Sequence, residues 1–129
     1  MPKQYIQLRD LEIYKLSREL SAKGWEIYEN MDWQTRKIMG DQFIAATDSI
    51  GANVAEGYGR FHYLDKIKFF YNARGSFIEA SEHWLELLKE RGKVNKATYD
   101  LYKQKAERLS IKLQNHISST YKAKTNSKQ

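Results

Sequence analysis

Cysteine is absent from this chain of 129 residues. Disulfides and thiolate metal sites are thereby excluded, and a reducing cytoplasm is a compatible setting. Proline occurs once, at Pro2, so no helix is broken internally by a residue lacking its amide. No apolar run approaches the roughly 20 residues of a membrane-spanning helix. The first residues, Met1 to Tyr5, lack the apolar stretch of a secretory signal. Alternating strand-like runs are missing as well. The expectation is one all-α domain in the cytoplasm, with no membrane partner.

Charge is plentiful and unevenly spread. The net charge is +6. Residues 1–88 carry 11 Lys and Arg against 13 Asp and Glu, whereas residues 89–129 carry 11 against 3. Such asymmetry points to a polyanionic partner for the basic end, with nucleic acid the commonest. Hydrophobic residues make up 41% of the chain and nine residues are Tyr, so the core is modest. Burial completed by a second copy is the natural expectation.

Apolar residues recur at helical spacing in four blocks. The first, roughly Asp10 to Met31, carries Ile13, Leu16, Leu20, Gly24, Ile27 and Met31 on one stripe, with Leu11, Tyr14, Trp25 and Tyr28 beside it. Asp10 is its expected N-cap. The second, about Thr35 to Gly57, turns Met39, Phe43, Ala46, Ile50 and Val54 inward, and Gly57 and Gly59 can end it with positive φ. The third, about Tyr63 to Arg91, follows a heptad through Ile67, Phe70, Arg74, Phe77, Ser81, Trp84 and Leu88, with Gly92 at C′. Arg74 then needs a partner, and Asp48 or Glu56 is expected to neutralise it. The fourth follows Asn95 as N-cap and reads Tyr99, Tyr102, Ala106, Leu109, Leu113, His116 and Thr120.

Short connections predict an antiparallel up-down-up-down four-helix bundle over residues 10–121. Residues 1–9 form an extension, and 122–129 read as a basic disordered tail. Within the second block Asn53 and Glu56 share a face with Ala46, Ser49 and Ile50. Polar groups so close to an apolar stripe are expected to have partners, because an unpaired buried one costs roughly 1–3 kcal/mol.

Gln42, Ala45, Ala46, Ser49, Ile50, Asn53, Val54, Ala55, Glu56, Gly57 and then Arg60 carry a recognisable pattern. It resembles the signature of a bacterial four-helix-bundle family whose founding members are encoded in intervening sequences of large-subunit rRNA genes. Phe70, Ala73, Arg74, Gly75, Ser76 and Glu79 are similar to that family's third helix. The resemblance covers about residues 8 to 118. Accessory variability proteins of diversity-generating retroelements share the fold, form pentameric barrels, and bind a reverse transcriptase and nucleic acid. The resemblance therefore implies a ring-shaped homo-oligomer, a homopentamer with a basic surface, and no enzymatic activity. It also marks Asp48, Ser49, Asn53, Glu56, Gly57, Arg74 and Glu79 as the structural motif.

The basic fourth helix is the strongest functional feature. Lys105, Arg108, Lys112, Asn115, Ser119 and Lys122 form one continuous stripe beside the apolar seam. Neutralising phosphates needs such a row, because each neutralised phosphate releases counterions. Lys124 and Arg60 complete the candidate nucleic-acid-binding set. Around the second turn Arg60, His62, Lys66 and Lys68 alternate with Tyr58, Phe61 and Tyr63. That pattern either stacks on unpaired bases or closes the bundle end. The three histidines lie on separate blocks, and the duplicated Glu-x-x-His of di-iron bundles is missing. No metal, cofactor or catalytic residue is implied. A protein–protein adaptor using the Tyr58–Tyr63 patch is the alternative.

Overall fold

The computed structural model describes residues 6–127. Among them no strand occurs, and four helices make up the chain: α1 (Glu12–Glu29), α2 (33–58), α3 (63–90) and α4 (Lys96–Ser127). They pack as a bundle in which α2 and α4 each lie against both α1 and α3. Leu20, Phe43, Phe70, Leu88 and Leu109 belong to one core that runs along the bundle, fully or almost fully excluded from solvent.

The inner stripes of α1 and α2 match the expected ones residue for residue, from Ile13 to Met31 and from Met39 to Val54. The second stripe of α1 is only partly buried, and Trp25 stands about half exposed. Asp10 caps nothing. It lies in a 3-10 turn, Leu8–Asp10, and Leu11 occupies the N-cap position without a side-chain bond. Asp32 is the side chain that caps a helix start, its Oδ1 accepting from the Thr35 amide at 2.8 Å. Asn95 caps α4 as expected, accepting from Thr98 at 2.8 Å.

Two wide π turns interrupt regular winding, at Arg36–Gly40 in α2 and Glu79–Trp84 in α3. Each accommodates an extra residue, so the buried face shifts phase. In α3, Ala80 and Ser81 are both buried, after which Leu85 and Leu88 face inward and Trp84 is only half-buried. The heptad also fails at Arg74. Ala73 takes the inner position and Arg74 is exposed, because a small apolar side chain fits there and a guanidinium keeps its hydration outside. Neither Asp48 nor Glu56 neutralises it. Glu56 instead pairs with Arg60 at 3.0 Å.

The two turns end their helices differently. At Gly92 φ is +67°, and the Gly92 and Lys93 amides donate to Lys89 and Leu88 carbonyls at 3.0 and 2.8 Å. This double bond closes the C-terminus of α3 as a Schellman motif. Gly59 has φ of −76° and Gly57 is still helical, so positive φ is not what selects glycine there. A Cβ at Gly57 would lie 2.5 Å from the Phe70 ring, so this glycine admits a neighbour from α3. Helix α4 also outruns its expected end. Residues 122–127 continue it as helix rather than forming a disordered tail, and residues 1–5, 128 and 129 lie outside the described part.

Candidate nucleic-acid interface

The basic stripe of α4 is continuous in sequence but divided in space. Arg108, Asn115, Ser119 and Lys122 are exposed. Lys105 and Lys112 instead approach α1, with Nζ 3.4 Å from Glu19 Oε1 and 3.5 Å from Glu12 Oε1. The match follows from spacing, since both pairs of positions are seven residues apart and repeat after about two turns. Half-exposed pairs of this kind contribute roughly 0–1 kcal/mol, so they orient the lysines more than they hold them. Lys124 is half-buried in the last turns of the helix.

The stronger cluster lies where those last turns stand over the α2–α3 turn. Lys66, half-buried, donates from Nζ to the Tyr58 and Gly57 carbonyls at 3.0 and 3.4 Å, capping the C-terminus of α2. Burial lowers its pKa from the ordinary lysine value. Tyr58 in turn donates from its hydroxyl to the Ile6 carbonyl. Arg60 lies over the Phe69 ring at 4.6 Å while paired to Glu56. Phe61 is 80% exposed, and His62 meets it edge-on at 5.2 Å. Lys68 is exposed beside Phe69.

From α4, His116 sets its ring edge-on against Phe70 at 4.9 Å. Burial, reinforced by the Lys66 charge, lowers its pKa below the ordinary histidine range. Its seam position was legible in sequence, but Ile117, almost fully buried, carries that turn of the core. Between these elements opens a cleft of about 850 Å³ whose walls include Tyr58, Arg60, Phe61, Tyr63, Lys66, His116 and Ser119. Among the described residues no carboxylate lines it. Sequence reading placed Lys66 and His116 on separate helices and had no signal that they meet. The distance in sequence between them hides a proximity made only by bundle geometry.

The structural motif of α2 faces outward. Ser49 and Asn53 bond back to their own helix, to the Ala45 and Ser49 carbonyls at 2.7 and 2.9 Å. Asp48 and Glu56 are exposed, and Ala52 with them, whereas Gly57 is buried against Phe70. On α3, Glu79 is exposed and accepts from Trp84 Nε1 at 2.9 Å. The expected partners of Asn53 and Glu56 are thus local ones. Trp33 is 73% exposed in this protomer, with Ile38 exposed on the same helix.

Among the described residues, no group of three or more His, Asp or Glu is placed to hold a metal ion. Among the same residues, no helix is long and apolar enough to cross a membrane.

Comparisons with known proteins bear on the fold and on descent. The family model for the 23S rRNA-intervening sequence protein matches residues 9–115. A crystal structure of a protein of unknown function from the S23 ribosomal protein family of Bacteroides thetaiotaomicron VPI-5482 is similar in fold. Its TM-score is 0.73 at 20% sequence identity, covering 81% of this chain and 96% of that one. No curated protein matches the sequence.

Proposed function

This chain belongs to the 23S rRNA-intervening sequence protein family, and within it we propose a non-enzymatic, homo-oligomeric scaffold that binds nucleic acid. The observation that carries the reading is the grouping of cations at one end of the bundle. Arg60, Lys66 and Lys68 surround the α2–α3 turn, and Lys122 lies on the turns of α4 that stand over it. Contacts there are mainly to phosphates, so binding weakens with salt and reads sequence poorly. Filter binding of single-stranded RNA over increasing salt tests this. A steep fall in affinity is expected, and affinity independent of salt overturns the mechanism.

The bundle in this proposal is antiparallel, up-down-up-down. Pairings that support it are Glu12 with Lys112 and Glu19 with Lys105, and Phe70 with His116 and Ser81 with Lys103. Exposed Trp25, Trp33 and Ile38 support assembly into a ring, for which the family resemblance implies five copies. A pentamer repeats the cationic end around one axis and strengthens weak contacts by multivalency. Light scattering of the purified protein is expected to return five chain masses; a monomer overturns the ring. The shared fold of retroelement accessory proteins makes a reverse transcriptase the protein partner to test first. An adjacent reverse-transcriptase gene with a template repeat would support that role, and placement inside an rRNA gene would argue for the founding branch.

The exposure of Phe61 and Trp33 also favours a second reading, a protein–protein adaptor. An adaptor would keep its partner when Arg108 and Lys122 are replaced by Glu, and the nucleic-acid scaffold would not.

A further inference from the structure

The cleft between the α2–α3 turn and the end of α4 has the makings of a small-ligand site. Its volume, about 850 Å³, falls in the usual range of ligand pockets. Among the described residues its charged lining groups are two cations, Lys66 and Arg60, the latter also paired to Glu56; the His116 imidazole joins them and no carboxylate lines the cleft. Lys66 directs two bonds to the Gly57 and Tyr58 carbonyls, and an ammonium has three donors, so one remains for a ligand. The aromatic walls, Phe61 and Tyr63, offer faces on which a planar ring can stack. The wall from His116 onward also lies beyond residue 115, where the family match ends, so this cleft is assembled partly from residues outside that match.

We infer that the cleft binds one nucleotide unit, a planar base carrying a phosphate, with the base on Phe61 and Tyr63 and the phosphate at Lys66 and His116. Ser119 supplies a hydroxyl at the same wall. The unit is either a free mononucleotide or an unpaired nucleotide of an RNA strand. The inference rests on the nucleic-acid reading for the second source only.

Calorimetric titration of the full chain with adenosine 5′-monophosphate, adenosine, inorganic phosphate and a short oligoadenylate tests it. The monophosphate is expected to saturate one site per chain, with adenosine and phosphate each at least tenfold weaker. Phe61→Ala, at an exposed position that leaves the fold intact, is expected to weaken binding about tenfold, the scale of one lost base stack. Lys66→Gln keeps an amide donor for the carbonyls and is expected to lose the preference for the monophosphate over adenosine. Monophosphate binding that is absent, or unchanged in Phe61→Ala, overturns the inference. Salt-sensitive oligoadenylate binding that neither variant affects overturns the cleft and leaves the nucleic-acid reading standing. Monophosphate binding without oligoadenylate binding supports the cleft, with a free nucleotide as its ligand, and overturns the nucleic-acid reading.

Discussion

Thr47 and Tyr102 meet across the core of the bundle, Oγ1 to Oη at 2.9 Å, with both residues fully buried. One belongs to α2 and the other to α4, helices placed diagonally rather than side by side. Phe43 packs against the Tyr102 ring at 5.5 Å, so an apolar shell surrounds the bond. The hydroxyl also lies beside Ser81, whose Oγ makes no bond of full geometry.

Tyr102→Phe is expected to destabilise the fold by about 1–3 kcal/mol, since it leaves the Thr47 hydroxyl without its cross-core partner. Thr47→Val with Tyr102→Phe is expected to cost less than the two single changes together, because neither member of the pair is then left without its partner. Urea midpoints of the four proteins measure the coupling, and strict additivity would refute it.

Alkaline stability follows from the same residue. Burial pushes the Tyr102 hydroxyl up to about 12 from 10.0. Tyr99 is likewise pushed up to about 12, by burial and then by its bond to Glu86. In the unfolded chain both release their protons from about pH 10, so there the unfolded state binds fewer protons. Stability is therefore full below pH 10 and falls between pH 10 and 12. Lys66 acts oppositely, since its lowered pKa makes stability rise with pH, but only up to the ordinary lysine value of 10.5. Denaturant melts across this range should decline, and less steeply in Tyr102→Phe.

Two glycines separate crowding from propensity. Gly57→Ala would set a methyl 2.5 Å from the Phe70 ring and 3.1 Å from the Lys66 carbonyl, and should destabilise by about 1–3 kcal/mol. Gly75→Ala meets nothing within 4 Å on the exposed side of α3 and should stabilise by about 0.5–1 kcal/mol. Thermal unfolding of the two variants should move in opposite directions.

The split of the α4 stripe gives a prediction about binding. Arg108→Glu and Lys122→Glu, at exposed positions, should each reduce RNA affinity and lower the salt slope by about one. Lys105→Ala and Lys112→Ala, which remove partners of Glu19 and Glu12, should have smaller effects on RNA. Equal losses in all four would show that the α1 carboxylates do not restrain the lysines.

The stripe of α1, and that of α2 from Asp41 onward, were legible because an uninterrupted 3.6-residue period survives there, and Asn95 and Gly92 were legible as local chemistry. Periodicity misplaced Trp84 because the wide turn at Glu79–Trp84 changes the repeat within one helix and no residue type marks it, whereas Arg74 precedes that turn and was misplaced by a strict heptad that passed over Ala73. It could not foresee the Glu19–Lys105 pair, since a helix face is visible in sequence but its neighbour is not. For the same reason the cleft was legible only as an aromatic, basic turn. Its other wall comes from about 50 positions further along the chain, brought there by the length of α4.

The extra residue in each wide turn makes these helices tolerant of indels in a way that uniform helices are not. Deleting one position within 79–84 would restore ordinary winding, whereas the same deletion in a regular stretch would rotate the following turns by about 100°. Leu85 and Leu88 would stay on the buried side, because they would then follow Ala73, Phe77 and Ala80 at 3.6-residue spacing. A deletion elsewhere in α3 could in turn be absorbed by this turn relaxing to ordinary winding, which gives the bundle a built-in slack for length drift.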